Sequence, residues 1–284
     1  MDSELWTNQG SVQLKMNGAR QPIGVFDSGI GGLTVVKALV EDLPSESIIY
    51  FGDTARVPYG SKSKSTIVKF SLENVEFLLR YGVKCIVIAC NTASSWALPT
   101  LRKYFKVPVV GVIRPGALAA ARQTRNQRIG VIGTSATINS RAYEMAVQRI
   151  DATIKVFSQP CPLFVPLVEE GWLNGAVCRS IAEKYLEPLM RQRIDTLILG
   201  CTHYPLLAPT IRQIVGPQVT LVDSAKQTAA EVRGLLMGTD LLSQHRTTPR
   251  YRFFVTDESA HFHAIGHRFL GHVIGSVERV NGQR

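Results

Sequence analysis

Thr196-Leu197-Ile198-Leu199-Gly200-Cys201-Thr202-His203-Tyr204-Pro205 is the stretch on which the fold turns. Its apolar opening has the length and composition of a buried strand. A cysteine followed by two polar residues then stands at the strand tip and not deep in a core. Cys85-Ile86-Val87-Ile88-Ala89-Cys90 repeats the design and opens into Asn91-Thr92-Ala93-Ser94. The chain thus holds two strand-then-cysteine units, with Cys90 and Cys201 111 positions apart.

Working outward, residues 22–26 predict a strand, Asp27-Ser28-Gly29-Ile30-Gly31-Gly32 a loop, and 33–43 a helix stopped by Pro44. Further strands are expected at 47–51, 85–90, 107–112, 128–132, 153–157, 196–200, 219–222 and 250–255. Helices are expected at 63–81, 95–105, 116–123, 140–149, 175–190, 206–215 and near 258–270. Alternation of this kind builds parallel sheets covered by helices. Ile23-Gly24-Val25-Phe26-Asp27-Ser28 also aligns with Ile129-Gly130-Val131-Ile132-Gly133-Thr134, an offset of 106 that nearly matches the cysteine spacing.

The expected architecture is α/β: two similar parallel-sheet domains related by a pseudo-twofold, with the active site in the crevice between them. Residues 22–113 with 224–271 form the first domain and 114–223 the second; 1–21 is an N-terminal extension and 272–284 a C-terminal tail. Ligands of open parallel sheets bind at the carboxyl ends of the strands. Packing the two halves face to face therefore sets Cys90 and Cys201 across one crevice.

Composition narrows the class. At 284 residues the chain is long enough for two cores, and 45% apolar with 19% charged residues is ordinary for a soluble globular protein. No apolar run approaches the roughly 18 residues a membrane span needs. The polar N-terminus has no apolar signal segment, which points to the cytoplasm. The five cysteines, without Cys-x-x-Cys spacing, are expected as free thiols, and no histidine pair completes a zinc site. Cys85 and Cys178 read as structural. The net charge of +10 raises the question of a polyanionic partner. Its basic residues, including Arg122, Arg125, Arg128, Arg246, Arg250, Arg252 and Arg268, accompany no nucleic-acid-binding module, so solvated faces explain them better.

Two symmetric thiols suit a base on one face of a carbon and an acid on the other. A free thiol has a pKa of about 8.5, near enough to neutral for modest tuning to supply either form. His203, two residues after Cys201, is placed to assist it; Asp27 lies at the same sheet edge as Cys90; Glu169 stands on the second half's rim. Each has a plainer explanation: Asp27-Ser28 as a helix N-cap, His203 as a core histidine, Glu169 as a solvated side chain. Ser28, Tyr59, Gly60, Asn91, Thr92, Ser135, Thr137 and Thr202 supply hydroxyls, an amide and backbone N–H groups suited to an amino acid's carboxylates. The 27–32 loop does not have G-x-G-x-x-G spacing, and no P-loop occurs, which leaves a nucleotide site little support.

Four blocks carry a resemblance: Val25-Phe26-Asp27-Ser28-Gly29-Ile30-Gly31-Gly32, Val57-Pro58-Tyr59-Gly60, Ala89-Cys90-Asn91-Thr92-Ala93-Ser94 and Gly200-Cys201-Thr202-His203-Tyr204-Pro205-Leu206-Leu207. In this order they resemble the signature blocks of the glutamate racemases, within the Asp/Glu racemase superfamily, over roughly residues 22–270. The resemblance implies a cofactor-independent enzyme, needing neither pyridoxal phosphate nor metal, that interconverts L- and D-glutamate for peptidoglycan synthesis. It makes Cys90 the residue that takes the α-proton from D-glutamate and Cys201 the one that takes it from L-glutamate. Asp27 then assists the first thiol, and His203 with Glu169 the second. Asp27-Ser28, Tyr59-Gly60, Asn91-Thr92 and Thr202-His203 fall on substrate-contacting positions.

Two departures stand out. Arg114 occupies a position usually acidic in the family, which bears on local ion pairs and subunit contacts. The N-terminal extension is longer than the minimal family chain, and some members so extended are regulated by a cell-wall precursor. A homodimer is the assembly the resemblance allows for. The competing readings are an aspartate racemase of the same superfamily, a thiol hydrolase or transferase using Cys201 and His203 alone, and a basic nucleic-acid-binding protein.

Overall fold

The computed structural model describes residues 18–243, 248–257, 262, 266, 269–270 and 276–280. Its strands are β1 (Ile23–Asp27), β2 (Ile48–Gly52), β3 (Cys85–Ile88), β4 (Val109–Gly111), β5 (Arg128–Gly133), β6 (Lys155–Pro160), β7 (Thr196–Gly200), β8 (Thr220–Asp223), β9 (Tyr251–Val255) and β10 (Val277–Arg279). They form two parallel sheets, ordered β10-β9-β2-β1-β3-β4 and β6-β5-β7-β8. The segments β2-β1-β3-β4 and β6-β5-β7-β8 have one topology, so the repeat seen in the sequence is a repeat of the fold. β3 and β7 are its equivalent strands, each beside the first strand of its half (Ile23↔Cys85, Ile129↔Thr196).

β1, β3 and β7 are buried along their whole length. That explains their continuous apolar character, because helices cover both faces of a parallel sheet. The helices are α1 (Leu33–Asp42), α2 (Lys64–Leu79), α3 (Asn91–Tyr104), α4 (Ile113–Gln123), α5 (Ser135–Asn139), α6 (Ala142–Ile150), α7 (Phe164–Glu169), α8 (Gly175–Arg191), α9 (Ala208–Val215) and α10 (Ser224–Gly238). α2 begins where Ser63 accepts the Thr66 N–H at 3.3 Å. Leu33, Val36 and Leu39 of α1 are fully buried, each worth about 1.5–3 kcal/mol against an exposed side chain.

Several elements differ from expectation. α3 starts at Asn91 and not near 95, so Asn91 and Thr92 lie in the first helical turn. α10 was not foreseen: its buried face is Ser224, Ala225, Thr228, Ala229, Val232 and Leu236, largely small residues with little apolar signal. It packs on α1 and on α4, bridging the two halves. Residues 277–279, expected in a tail, form β10, which pairs in parallel with β9; the open edge of β9 supplies the backbone partners that a lone apolar Val277 does not advertise. The helix near 258–270 lies mostly outside the described residues, as do residues 1–17 of the extension, Arg246 and Arg268.

A buried ion pair ties the margins of the first sheet together. Lys84 pairs with Glu46 and donates to the carbonyls of Ala19 (2.9 Å) and Leu241 (2.8 Å), while Glu46 accepts the Ser243 N–H at 2.8 Å. Among the described residues no helix is long and apolar enough to cross a membrane.

Candidate active site

The first thiol sits at the N-terminus of α3. Cys90 is the N-cap residue, its sulfur accepting the Ala93 N–H at 3.4 Å while the thiol donates to Ser28 Oγ at 3.7 Å. A helix N-terminus ordinarily favours a thiolate. Here burial prevails: together with the negative charge of Asp27, and against the hydrogen bonds with Ala93 and Ser28, it pushes the Cys90 thiol up to about 12. Cys201 adds to the same shift, so the two sulfurs lie near enough for their charges to act on each other. Cys90 is therefore held as the protonated thiol at neutral pH.

Asp27, at the end of β1, is fully buried, and burial raises its pKa against the pull of His203 and of backbone N–H groups. Oδ2 accepts the Gly29 N–H at 2.9 Å, whereas buried Oδ1 has no partner among the described residues. Asp27 is not the N-cap of α1, a place taken by Gly32 with no side-chain cap, and its bond within the 27–32 loop accounts for one oxygen only. A buried polar atom left unpaired costs about 1–3 kcal/mol and calls for a ligand or a chemical use.

The second thiol follows β7. His203 Nδ1 stands 3.8 Å from Cys201 Sγ and 3.5 Å from Thr202 Oγ1, and Nε2 stands 3.2 Å from Glu169 Oε1 at the end of α7. Burial alone would lower the His203 pKa. Its bonds to Cys201 and Glu169, with the charges of both, outweigh that and lift it to about 10. His203 is thus no passive core histidine. Glu169 meets the ring nitrogen opposite the one that faces Cys201, which makes it a group acting through the imidazole.

The halves meet closely around these groups. A Cβ on Gly31 would stand 2.3 Å from Thr202 Oγ1 and 2.5 Å from His203 Nδ1, so only glycine lets the first half's loop lie against the second thiol's loop. Thr92 at the start of α3 meets Thr134 (2.8 Å) and Thr137 (3.0 Å) of the second half, and those two are 3.0 Å apart. A Cβ on Gly60 would fall 2.7 Å from Thr134 Cβ.

The structure gathers Asp27, Ser28, Cys90, Asn91, Thr92, Thr137, Cys201, Thr202, His203 and Glu169 by these contacts. Tyr59 enters differently: its hydroxyl donates to buried Asp53 and accepts from Asn74 at 3.1 Å, so only its backbone is available to a ligand. Ser135 is half-buried in the first turn of α5. Sequence reasoning missed Thr134, although the internal alignment makes it the counterpart of Ser28. It also missed Tyr143, whose hydroxyl donates to Asn91 Oδ1 at 2.7 Å. Arg114 is exposed and pairs with Glu231 of α10 at 3.3 Å, a surface contact worth about 0–1 kcal/mol. Among the described residues no group of three or more His, Cys, Asp or Glu is arranged to hold a metal ion.

Comparison with known proteins identifies the family. The family model for Asp/Glu/hydantoin racemases matches residues 23–232. A glutamate racemase of Syntrophus aciditrophicus is 52% identical over 259 residues, covering 91% of this chain and 96% of the relative. The crystal structure of a glutamate racemase isoform of Bacillus anthracis superposes with a TM-score of 0.89 at 43% identity, covering 92% of this chain and 98% of that one. That of the Francisella tularensis glutamate racemase in complex with D-glutamate gives 0.88 at 42% identity, with 93% and 99% covered. With thiols at equivalent strand tips, a matching family model and relatives alike over nearly their whole length, the chain belongs to the Asp/Glu/hydantoin racemase family.

Proposed function

We propose that this protein interconverts L- and D-glutamate by passing the α-proton between two thiols, and that it supplies D-glutamate for peptidoglycan in the cytoplasm. The observation that carries the reading is the pairing of Cys90 and Cys201 at equivalent strand tips within electrostatic reach, each beside a different ionisable neighbour. Cys201 has the imidazolium of His203 3.8 Å from its sulfur as its proton-handling neighbour, whereas Cys90 keeps its proton. Starting from L-glutamate, Cys201 removes the α-proton from one face and Cys90 delivers its proton to the other. The sulfurs exchange protonation states in the turnover, and proton exchange with solvent restores the starting form.

The carbanion needs stabilisation from preorganised donors and exclusion of water, since a carbon acid α to a carboxylate is far weaker than a thiol. The N-terminus of α3 and the Thr92, Thr134 and Thr137 hydroxyls are suited to the substrate's carboxylates, and Asp27 Oδ1 is suited to its ammonium or to the Cys90 proton. The division into 22–113 with 224–271 and 114–223 belongs to the same reading and is supported by the two separate sheets. A phosphate-bearing cell-wall precursor, as regulator, would find Arg102, Arg114 and Arg122 around a cavity of about 710 Å³ between α4 and α10.

The test is optical rotation of purified protein incubated with L-glutamate, D-glutamate and each enantiomer of aspartate, without added cofactor. Rotation decaying to zero from both glutamate enantiomers supports the reading. Faster decay from aspartate would reassign the substrate, and no decay from either acid would reject racemisation. A covalent adduct on Cys201 seen by mass spectrometry would favour a thiol hydrolase or transferase instead.

A further inference from the structure

Tyr143, on α6 of the second half, touches the neighbours of both thiols. Its ring lies against its own half: a Cβ on Gly116 would stand 3.2 Å from Cε1, and one on Gly200, the residue before Cys201, 3.1 Å from Cε2. Its hydroxyl reaches the other half, 2.7 Å from Oδ1 of Asn91, the residue after Cys90. The side chain is buried, with 3% of the residue exposed. Burial above all, helped by the charges of Asp223 and Cys201 and opposed by a bond from the Ser224 hydroxyl, keeps the phenol neutral. A neutral phenol has one proton to give, and Asn91 Oδ1 receives it. Ser224 opens α10, the helix that bridges the halves, and lies beside the phenol.

The consequence concerns the asparagine amide. With its oxygen engaged by Tyr143, the Nδ2 side is the end left to face a ligand. Turning the amide over would make Nδ2 donate to the phenol oxygen, leave the buried phenol proton without this acceptor, and set a carbonyl oxygen against a substrate carboxylate. An amide without such a partner has no comparable preference between its two orientations.

We propose that Tyr143 is a positioning residue that fixes the Asn91 amide with its N–H side toward the substrate and thereby sets substrate affinity. This rests on the reading above that Asn91 contacts the substrate.

The test is a double-mutant cycle. Tyr143→Phe keeps the ring against Gly116 and Gly200 and removes only the donor. It is expected to raise KM for both glutamate enantiomers about tenfold, the worth of one buried hydrogen bond, with kcat changed less than about threefold. In an Asn91→Ala background the same substitution should change KM by less than about twofold, because its effect passes through the amide. An equal KM increase in both backgrounds, or an unchanged KM with only a lowered melting temperature, overturns the proposal. If Asn91→Ala raises KM but Tyr143→Phe does not, the proposal alone falls. If Asn91→Ala leaves KM unchanged, Asn91 is no substrate contact and both readings of it fall. Asn91→Ser supplies the background should the alanine variant fail to fold.

Discussion

Replacing Glu169 with glutamine isolates what the carboxylate does to His203. At 3.2 Å and an effective dielectric of about 20, opposite unit charges attract by about 5 kcal/mol. Glu169 has 32% of its side chain exposed, and solvent screens such a pair. Glutamine also keeps an acceptor, so the loss is nearer 1.5–3 kcal/mol, or about one to two pH units. The folded pKa of about 10 lies above the ordinary value of 6.5, so the imidazolium persists at neutral pH and is lost as pH rises through 10. Its contribution to stability has the same sign: full below about 6.5 and lost on the way through 10. The assay is the pH profile of kcat/KM, which reports groups of the free enzyme. Its alkaline limb should move from about 10 to between about 8 and 9 in Glu169→Gln. Racemisation has an equilibrium constant of one, so the shift must appear equally from L- and D-glutamate. A limb that stays near 10 while activity falls would refute the idea that Glu169 acts through the imidazole.

Gly31→Ala should lower kcat/KM by about a hundredfold, because a methyl in contact with Thr202 and His203 displaces the Cys201 loop; near-normal activity would show that the two loops are free to separate. Lys84→Met leaves Glu46 buried and unpaired, a cost of about 3–5 kcal/mol. It should lower the melting temperature by about 10 °C, and a change under about 2 °C would mean that the pair holds nothing together. Asp27→Asn should cost about a hundredfold in kcat/KM with the melting temperature nearly unchanged, whereas equal losses in both would make Asp27 a residue that only holds the 27–32 loop.

Much of this organisation is legible in the sequence because burial on both faces leaves a plain record. β1, β3 and β7 read as apolar runs, and the match of Ile23–Ser28 to Ile129–Thr134 exposes the repeated half. The strand-tip cysteines follow from that repeat. What escaped has physical reasons. Asn91-Thr92-Ala93-Ser94 looks like a polar loop, but its polar residues form a helix start capped by Cys90. α10 hides because alanine and threonine let it pack tightly against α1 and α4 without large apolar side chains. β10 owes its place to the backbone of β9 and not to its own composition. The Tyr143–Asn91 bond joins residues 52 positions apart, a pairing created only when the halves close. The hydroxyl of Tyr59 looked available to a ligand, yet the fold spends it on Asp53.

The most direct measurement is proton exchange at Cα in heavy water with one thiol removed at a time. With Cys201 alone, in Cys90→Ala, L-glutamate should exchange its α-hydrogen with retention while D-glutamate does not; with Cys90 alone, in Cys201→Ala, the pattern should reverse, and neither variant should racemise. Exchange of both enantiomers by one variant, or racemisation surviving the loss of either sulfur, would contradict the two-thiol mechanism.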